Sequence, residues 1–218
     1  MLIFAGDTVA SYRRKPQTGG VKVVSRFLLA ASAEAHFPVA SVPEVAFLGR
    51  SNVGKSSVIN SLLGAKVAKT SATPGRTRAI NFYEIRWPGK PRPELFFADL
   101  PGYGYARLSR EVTGGWASFI EPYLEHRATL NLAIVLVDCN VPLQASDKQL
   151  VDWLNVKKRH FLIVATKADR LSGNTLRAAL EGLRQQFGVE RIARFSARTG
   201  EGRDELWQEI RSACQQAA

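Results

Sequence analysis

Apolar residues along this chain follow two alternating rhythms. Unbroken apolar runs at 45–48, 132–137 and 161–165 sit between polar or glycine residues, the pattern of short strands buried on both faces. Between them the apolar residues fall at helical spacing. The first such set is Val58, Ile59, Leu62 and Leu63, with a stop at Gly64; the second is Trp116, Phe119, Ile120, Tyr123 and Leu124. Residues 145–156 follow, then Leu176, Leu180, Leu183 and Phe187, then Leu206 with Ile210. Each set predicts an amphipathic helix, and Pro122 predicts a kink or a new first turn in the second. Residues 80–87 and 94–98 read as strands joined by Pro88-Gly89-Lys90-Pro91-Arg92-Pro93, which favours an antiparallel pair. A last strand is predicted at 191–195. Strands alternating with helices predict a doubly wound α/β sheet with its ligand at the strands' C-terminal ends.

Two stretches stand outside these rhythms. The first twenty residues read as a flexible lead-in. After them Val23, Phe27, Leu28 and Ala31 are spaced for one or two turns of amphipathic helix, ended by Pro38 and Pro43. Residues 64–79 carry no clear period and contain Thr73-Pro74-Gly75-Arg76-Thr77, the punctuation of a mobile loop.

Composition narrows the picture. At 218 residues and 45% hydrophobic, the chain can bury a full core as one domain with extensions. It has no run of about 18 apolar residues, so no membrane-spanning helix is expected. Arg13-Arg14-Lys15 ahead of 27–33 superficially resembles a signal peptide, but the apolar run is short and Lys22 and Arg26 interrupt its approach; secretion is not expected. Cys139 and Cys214 are far apart with no C-x-x-C, which suits a reducing cytosol and offers no metal site. His36, His126 and His160 are equally scattered. The net charge of +11 is unevenly spread: over 64–93, Lys66, Lys69, Arg76, Arg78, Arg86, Lys90 and Arg92 face only Glu84. Such a surface suits phosphate backbones; the plainer alternative is a solvated basic face.

The candidate chemistry begins at Gly49-Arg50-Ser51-Asn52-Val53-Gly54-Lys55-Ser56-Ser57. A G-x-x-x-x-G-K-S loop between a strand and a helix cradles a polyphosphate in backbone N–H groups. Lys55 reaches the β- and γ-phosphates there, and Ser56 holds Mg²⁺. The strand at 94–98 delivers Asp99-Leu100-Pro101-Gly102, whose carboxylate is the second acidic contact to Mg²⁺, through water. The run at 161–165 delivers Thr166-Lys167-Ala168-Asp169. A carboxylate accepts both N1–H and N2–H of guanine; beside adenine it would be left unpaired, and such mismatches are costly. Lys167 can lie over the purine face, Thr166 can tie this loop to the phosphate loop, and Ser196 and Ala197 offer N–H groups to guanine O6. Spacing does not choose between Thr73 and Thr77 as the threonine of the mobile loop that meets the metal.

Together G-R-S-N-V-G-K-S-S at 49–57, T-P-G-R-T at 73–77, D-L-P-G-Y-G-Y-A at 99–106, T-K-A-D at 166–169 and F-S-A at 195–197 resemble the translation-factor-related GTPases. Among them the match is to the EngB family, also called YihA or YsxC. The resemblance covers residues 27–212. It implies a Ras-like P-loop GTPase fold, three-layered, with a mostly parallel six-stranded sheet, one strand antiparallel, and helices on both faces. It implies GTP and GDP as ligands, Mg²⁺ as cofactor, and a role in assembling the bacterial large ribosomal subunit, linked to cell division. It picks Thr77 as the second metal ligand and implies nucleotide contacts at Gly75, Arg76, Thr77, Arg78 and Ala79, and at Phe195, Ser196 and Ala197. The family often has Ser where this chain has Ala197, which keeps the backbone contact. The expected organisation is a flexible basic extension at 1–26, a GTP-binding domain at 27–212 and a tail at 213–218, in a cytoplasmic monomer whose partner is the large-subunit precursor and its rRNA.

Catalysis is expected to rest on Lys55, Thr77 and Asn52. Ras-type enzymes orient the attacking water with a Gln after D-x-x-G; this chain has Tyr103, which cannot supply an amide's paired donor and acceptor. Slow hydrolysis is therefore expected, with stimulation by a partner or by K⁺. In some related GTPases an Asn at the position of Asn52 helps hold K⁺ between phosphates; the alternative role is a hydrogen bond that shapes the loop. Two rival readings are a P-loop kinase, in which T-K-A-D would be idle, and a nucleotide-dependent binding module with negligible catalysis.

Overall fold

The computed structural model describes residues 20–68, 79–103 and 119–215. Among the described residues seven strands form one sheet: β1 (Val24–Ala31), β2 (Glu44–Gly49), β3 (Ile80–Arg86), β4 (Leu95–Asp99), β5 (Leu130–Asp138), β6 (Phe161–Thr166) and β7 (Ala193–Arg194). The helices are α1 (Lys55–Leu63), α2 (helical over the described 119–126), α3 (Ala145–Val156), α4 (Gly173–Phe187) and α5 (Arg203–Gln215). Trp116, the first residue expected in α2, lies outside the described residues. The strand order is β1-β3-β4-β2-β5-β6-β7. β3 runs antiparallel to both neighbours and the other pairings are parallel, so the sheet has one antiparallel strand, as expected.

The apolar runs form the middle of this sheet because they can be covered on both faces. Alternate residues of each strand point to opposite sides. Leu48, Val135 and Ile163 join Ile120, Leu150 and Leu180 in one core. Phe47, Ile134 and Phe97 join Ile59, Leu62 and Trp207 in the other. These are the three layers of the expected fold.

The sheet has one strand more than the six expected, and the extra one is β1. Its residues were spaced as a short helix, but they pair with β3 from Val24↔Arg86 to Ala31↔Ile80. A register shift between Phe27 and Leu29 breaks the alternation. A bulge adds one residue to a two-residue period, and the resulting Phe27-Leu28 doublet imitates helical spacing. β7, expected over 191–195, is only two residues long. The sheet begins at Val24 and α5 reaches Gln215, past both expected domain limits, 27 and 212.

Candidate functional site

The parallel strands β2, β5 and β6, together with β4, all end on one side of the sheet, and the motif residues follow those ends. β2 stops at Gly49, where a Cβ would lie 2.8 Å from Val53 Cγ1 and 3.1 Å from the Leu136 carbonyl oxygen. No larger residue fits there. The chain turns through Asn52 at φ +67° and Gly54 at φ +103° into α1, an arrangement that leaves the first N–H groups of that helix facing outward. Tyr103 N–H donates to the Gly49 carbonyl (3.3 Å) and Ser51 N–H to the Tyr103 carbonyl (3.2 Å). A Cβ on Gly102 would sit 3.1 Å from Ser51 N. The Asp99-Leu100-Pro101-Gly102 segment is thus fastened along the phosphate loop.

Lys55 Nζ is ion-paired with Asp99 Oδ1, and both side chains are largely buried. Ser56 follows in the first turn of α1 and Ser57 is exposed. The Ser56 hydroxyl and the Asp99 carboxylate are hard oxygen donors of the kind Mg²⁺ takes, so the donor set fits that ion. Thr77, the other expected metal ligand, lies outside the described residues, as do Gly75, Arg76 and Arg78. Ala79 is described and leads directly into β3.

The second motif cluster ends β6. Thr166 Oγ1 donates its one proton to the Val53 carbonyl (2.7 Å), with the Val137 carbonyl also within reach at 3.1 Å, tying this loop to the phosphate loop. Lys167 adopts φ +58°. Its ammonium donates to the Asn52 carbonyl at 2.9 Å and pairs with Asp138 Oδ2 at 2.7 Å, so its methylenes bridge the two loops. Asn140 Nδ2 donates to Asp138 Oδ1 and to the Lys167 carbonyl. Burial alone would raise the Asp138 pKa; hydrogen bonds from Lys167 and Asn140 outweigh it and hold the carboxyl below its usual range. Asp138 and Asn140 were not foreseen, although Asp138 closes an apolar run just as Asp99 does.

Asp169 is set by the loop after β7. Ala168 N–H donates to the carbonyl of buried Phe195. Ser196 Oγ donates to Asp169 Oδ1 and Arg198 Nε to Asp169 Oδ2, each at 2.6 Å. These bonds, Ser196 first and Arg198 second, lower the Asp169 pKa. Of the two N–H groups expected to face guanine O6, that of Ser196 is bonded to the Glu201 carbonyl, because 196–201 closes a tight turn. The exposed Ala197 N–H has no protein partner among the described residues, and Ser196 acts through its hydroxyl instead.

Tyr103 reaches away from the phosphate loop. Its hydroxyl donates to Oδ1 of buried Asp147, in the first turn of α3, at 3.0 Å. Burial, then the nearby Asp147 charge, raises the Tyr103 pKa. Burial also raises the Asp147 pKa, against the hydrogen bond from Tyr103 and the charge of Arg50. A cleft of about 280 Å³ flanks the phosphate loop on its α3 side, between Arg50, Asn52, Asp138, Pro142, Asp147 and Lys167.

Comparison with known proteins agrees with this geometry. Residues 44–167 match the family model described as 50S ribosome-binding GTPase. The chain is 54% identical over 190 residues to the probable GTP-binding protein EngB of Koribacter versatilis (strain Ellin345), covering 87% of this chain and 94% of the relative. Against the EngB of Acidobacterium capsulatum it is 51% identical over 198 residues, covering 90% and 94%. Among solved structures, a crystal structure of a probable GTP-binding protein engB aligns with TM-score 0.64 at 24% identity, over 79% of this chain and 99% of that one. Era in complex with MgGDPNP and a segment of 16S ribosomal RNA aligns with TM-score 0.65 at 23% identity, over 79% and 56%. At these identities the structural likenesses speak for the fold alone.

Proposed function

Because this chain belongs to the EngB family of GTP-binding proteins, we propose that it is a slow GTPase acting as a GTP/GDP switch, as a cytoplasmic monomer, in assembly of the bacterial large ribosomal subunit. The observation that carries the guanine reading is Asp169, held by Ser196 and Arg198 at one rim of the site, with the Ala197 N–H in the adjoining 196–201 turn. Two carboxylate oxygens beside one unbonded N–H complement the N1–H, N2–H and O6 edge of guanine, and adenine offers no such match. Lys167 bridges to the phosphate loop and so carries its alkyl chain past the purine face.

At the other end, Lys55 and the N–H groups opening α1 are placed to hold the β- and γ-phosphates. Mg²⁺, held by Ser56, by Thr77 and through water by Asp99, would neutralise charge on the β/γ oxygens. Water positioning is the weak part. The Tyr103 hydroxyl is engaged by Asp147, which supports an intrinsic turnover below about 1 s⁻¹. Asn52 supports a remedy. Its carbonyl is bonded by Lys167, while its side chain has no hydrogen-bond partner among the described residues, leaving the amide oxygen free for K⁺. Turnover in K⁺ above turnover in Na⁺, with the difference lost in Asn52→Ala, is the expected result; equal rates in both salts would end the potassium idea.

Switching needs contacts that differ between GTP and GDP. Gly102, pinned against Ser51, and Thr77 are the groups proposed to meet the γ-phosphate and its metal. The basic 64–93 segment contains Thr77, and we assign it the docking on rRNA. Co-sedimentation with large-subunit particles tests the whole reading: binding is expected with a non-hydrolysable GTP analogue and much less with GDP, and equal binding in both would refute the switch. The Tyr103–Asp147 bond also favours a second reading, a nucleotide-dependent ribosome-binding module with negligible catalysis. Single-turnover hydrolysis that stays undetectable even with ribosomal particles would select it.

A further inference from the structure

The base-recognition carboxylate already has a guanidinium on it. Asp169 Oδ2 accepts from Arg198 Nε at 2.6 Å while Oδ1 accepts from Ser196 Oγ at 2.6 Å. One donor on each carboxylate oxygen is the arrangement that guanine N1–H and N2–H supply. A guanidinium carries its N–H donors in a planar fork about one carbon, the same N–C–N pattern as that guanine edge. The Asp169 side chain is only 11% exposed and that of Arg198 is 74% exposed. The arginine therefore covers the open side of the carboxylate, where a base must approach. Ser196 is buried beneath it and cannot move aside at comparable cost.

We propose that Arg198 is an internal competitor for the guanine edge, occupying Asp169 Oδ2 until a guanine nucleotide displaces it. Ser196 stays bonded to Oδ1 in both arrangements and holds the carboxylate in place. The proposal rests on guanine recognition by Asp169. Its consequence is that Arg198 weakens nucleotide binding, whereas an arginine at the mouth of an anionic ligand's site would ordinarily strengthen it. Competition by one exposed ion pair is limited to a factor of about five, and it shrinks with salt because the pair is open to solvent.

Calorimetric titration of the full chain with GDP and XDP tests this, using wild type, Arg198→Ala, Arg198→Lys, Asp169→Asn and the Asp169→Asn/Arg198→Ala double variant. Arg198→Ala should bind GDP about two- to fivefold more tightly than wild type. That gap should close between about 0.05 and 0.5 M salt, and Arg198→Lys should restore part of the wild-type weakness. In Asp169→Asn the amide no longer holds the guanidinium, so removing Arg198 should leave XDP affinity unchanged. GDP binding that is unchanged or weakened by Arg198→Ala, while Asp169→Asn still switches preference from GDP to XDP, would overturn the competitor role and leave guanine recognition standing. If Asp169→Asn does not change the preference, guanine recognition by Asp169 falls and the competitor role falls with it.

Discussion

Tyr103 stands one residue after Gly102, where a Ras-type enzyme carries its water-orienting glutamine, and its hydroxyl is bonded to Asp147. Asp147 was invisible to sequence reasoning because its meaning depends on α3 arriving beside the phosphate loop. The same holds for Asp138, Asn140 and Arg198, each of which acquires a role from a partner 27 to 29 residues away. Lys55, Asp99, Thr166 and Asp169 were legible because a fixed spacing from a strand end determines where each must lie. Tyr103→Phe should cost about 1.5–3 kcal/mol at neutral pH, the worth of a hydrogen bond to a charged group. Asp147 has a folded pKa above its ordinary 3.8, and the Tyr103 bond restrains that rise. The stability of the protonated form is therefore complete below 3.8 and is lost as pH rises through the folded pKa. The cost of Tyr103→Phe should accordingly shrink in acid, where the carboxyl is neutral, as urea unfolding at both pH values can show. Basal GTP turnover should change less than about twofold; a tenfold loss would place the hydroxyl at the attacking water instead.

Among the elements, α1 opens on the phosphate loop and depends on α5 for its far end. Its C-terminal carbonyls are met from outside: Arg203 donates to Ser61 O at 2.7 Å and Leu62 O at 3.0 Å, and Trp207 Nε1 donates to Leu62 O at 3.1 Å. A cation beside the negative end of a helix adds to these bonds. Arg203 also donates to Val21 O, binding the approach to β1 to the same point. Arg203→Ala should lower the unfolding free energy by about 2–3 kcal/mol, and Arg203→Lys should recover less than half, since an ammonium lacks the fork that spans two chain segments. A loss under about 0.5 kcal/mol in urea titration would show that water replaces these contacts freely. α1 itself was legible from its apolar spacing and Gly64, whereas β1 was misread for the bulge that doubles its apolar residues.

At the scale of the molecule, the two ends of the sheet are built for different work. The end bearing Gly49 gathers the motif loops, with Asn52, Ser57, Ala197 and Arg198 exposed at its rim. The opposite end is closed around Glu44, the first residue of β2, which is fully buried. Its carboxylate accepts from Tyr123, Arg127 and Thr129, and Arg127 donates onward to the Pro38 carbonyl. Nothing in the spacing of these residues revealed the cluster, which brings together pieces of chain some eighty residues apart. The layer order was legible because α1, α3 and α4 each follow a buried strand, and such crossovers have few solutions.

β1 closes the sheet on one side with Val24 and Phe27 about half exposed, and an apolar edge of that sort invites another chain to add a strand. Two features work against it. The irregular register at Phe27/Leu29 twists the ladder out of line, and Arg26, exposed yet bonded to buried Glu84, keeps a charge along that border. An added strand would have to follow that irregular register beside a charge, which disfavours edge-to-edge pairing through β1. The apolar border at Val24 and Phe27 then remains available to surfaces of a different kind.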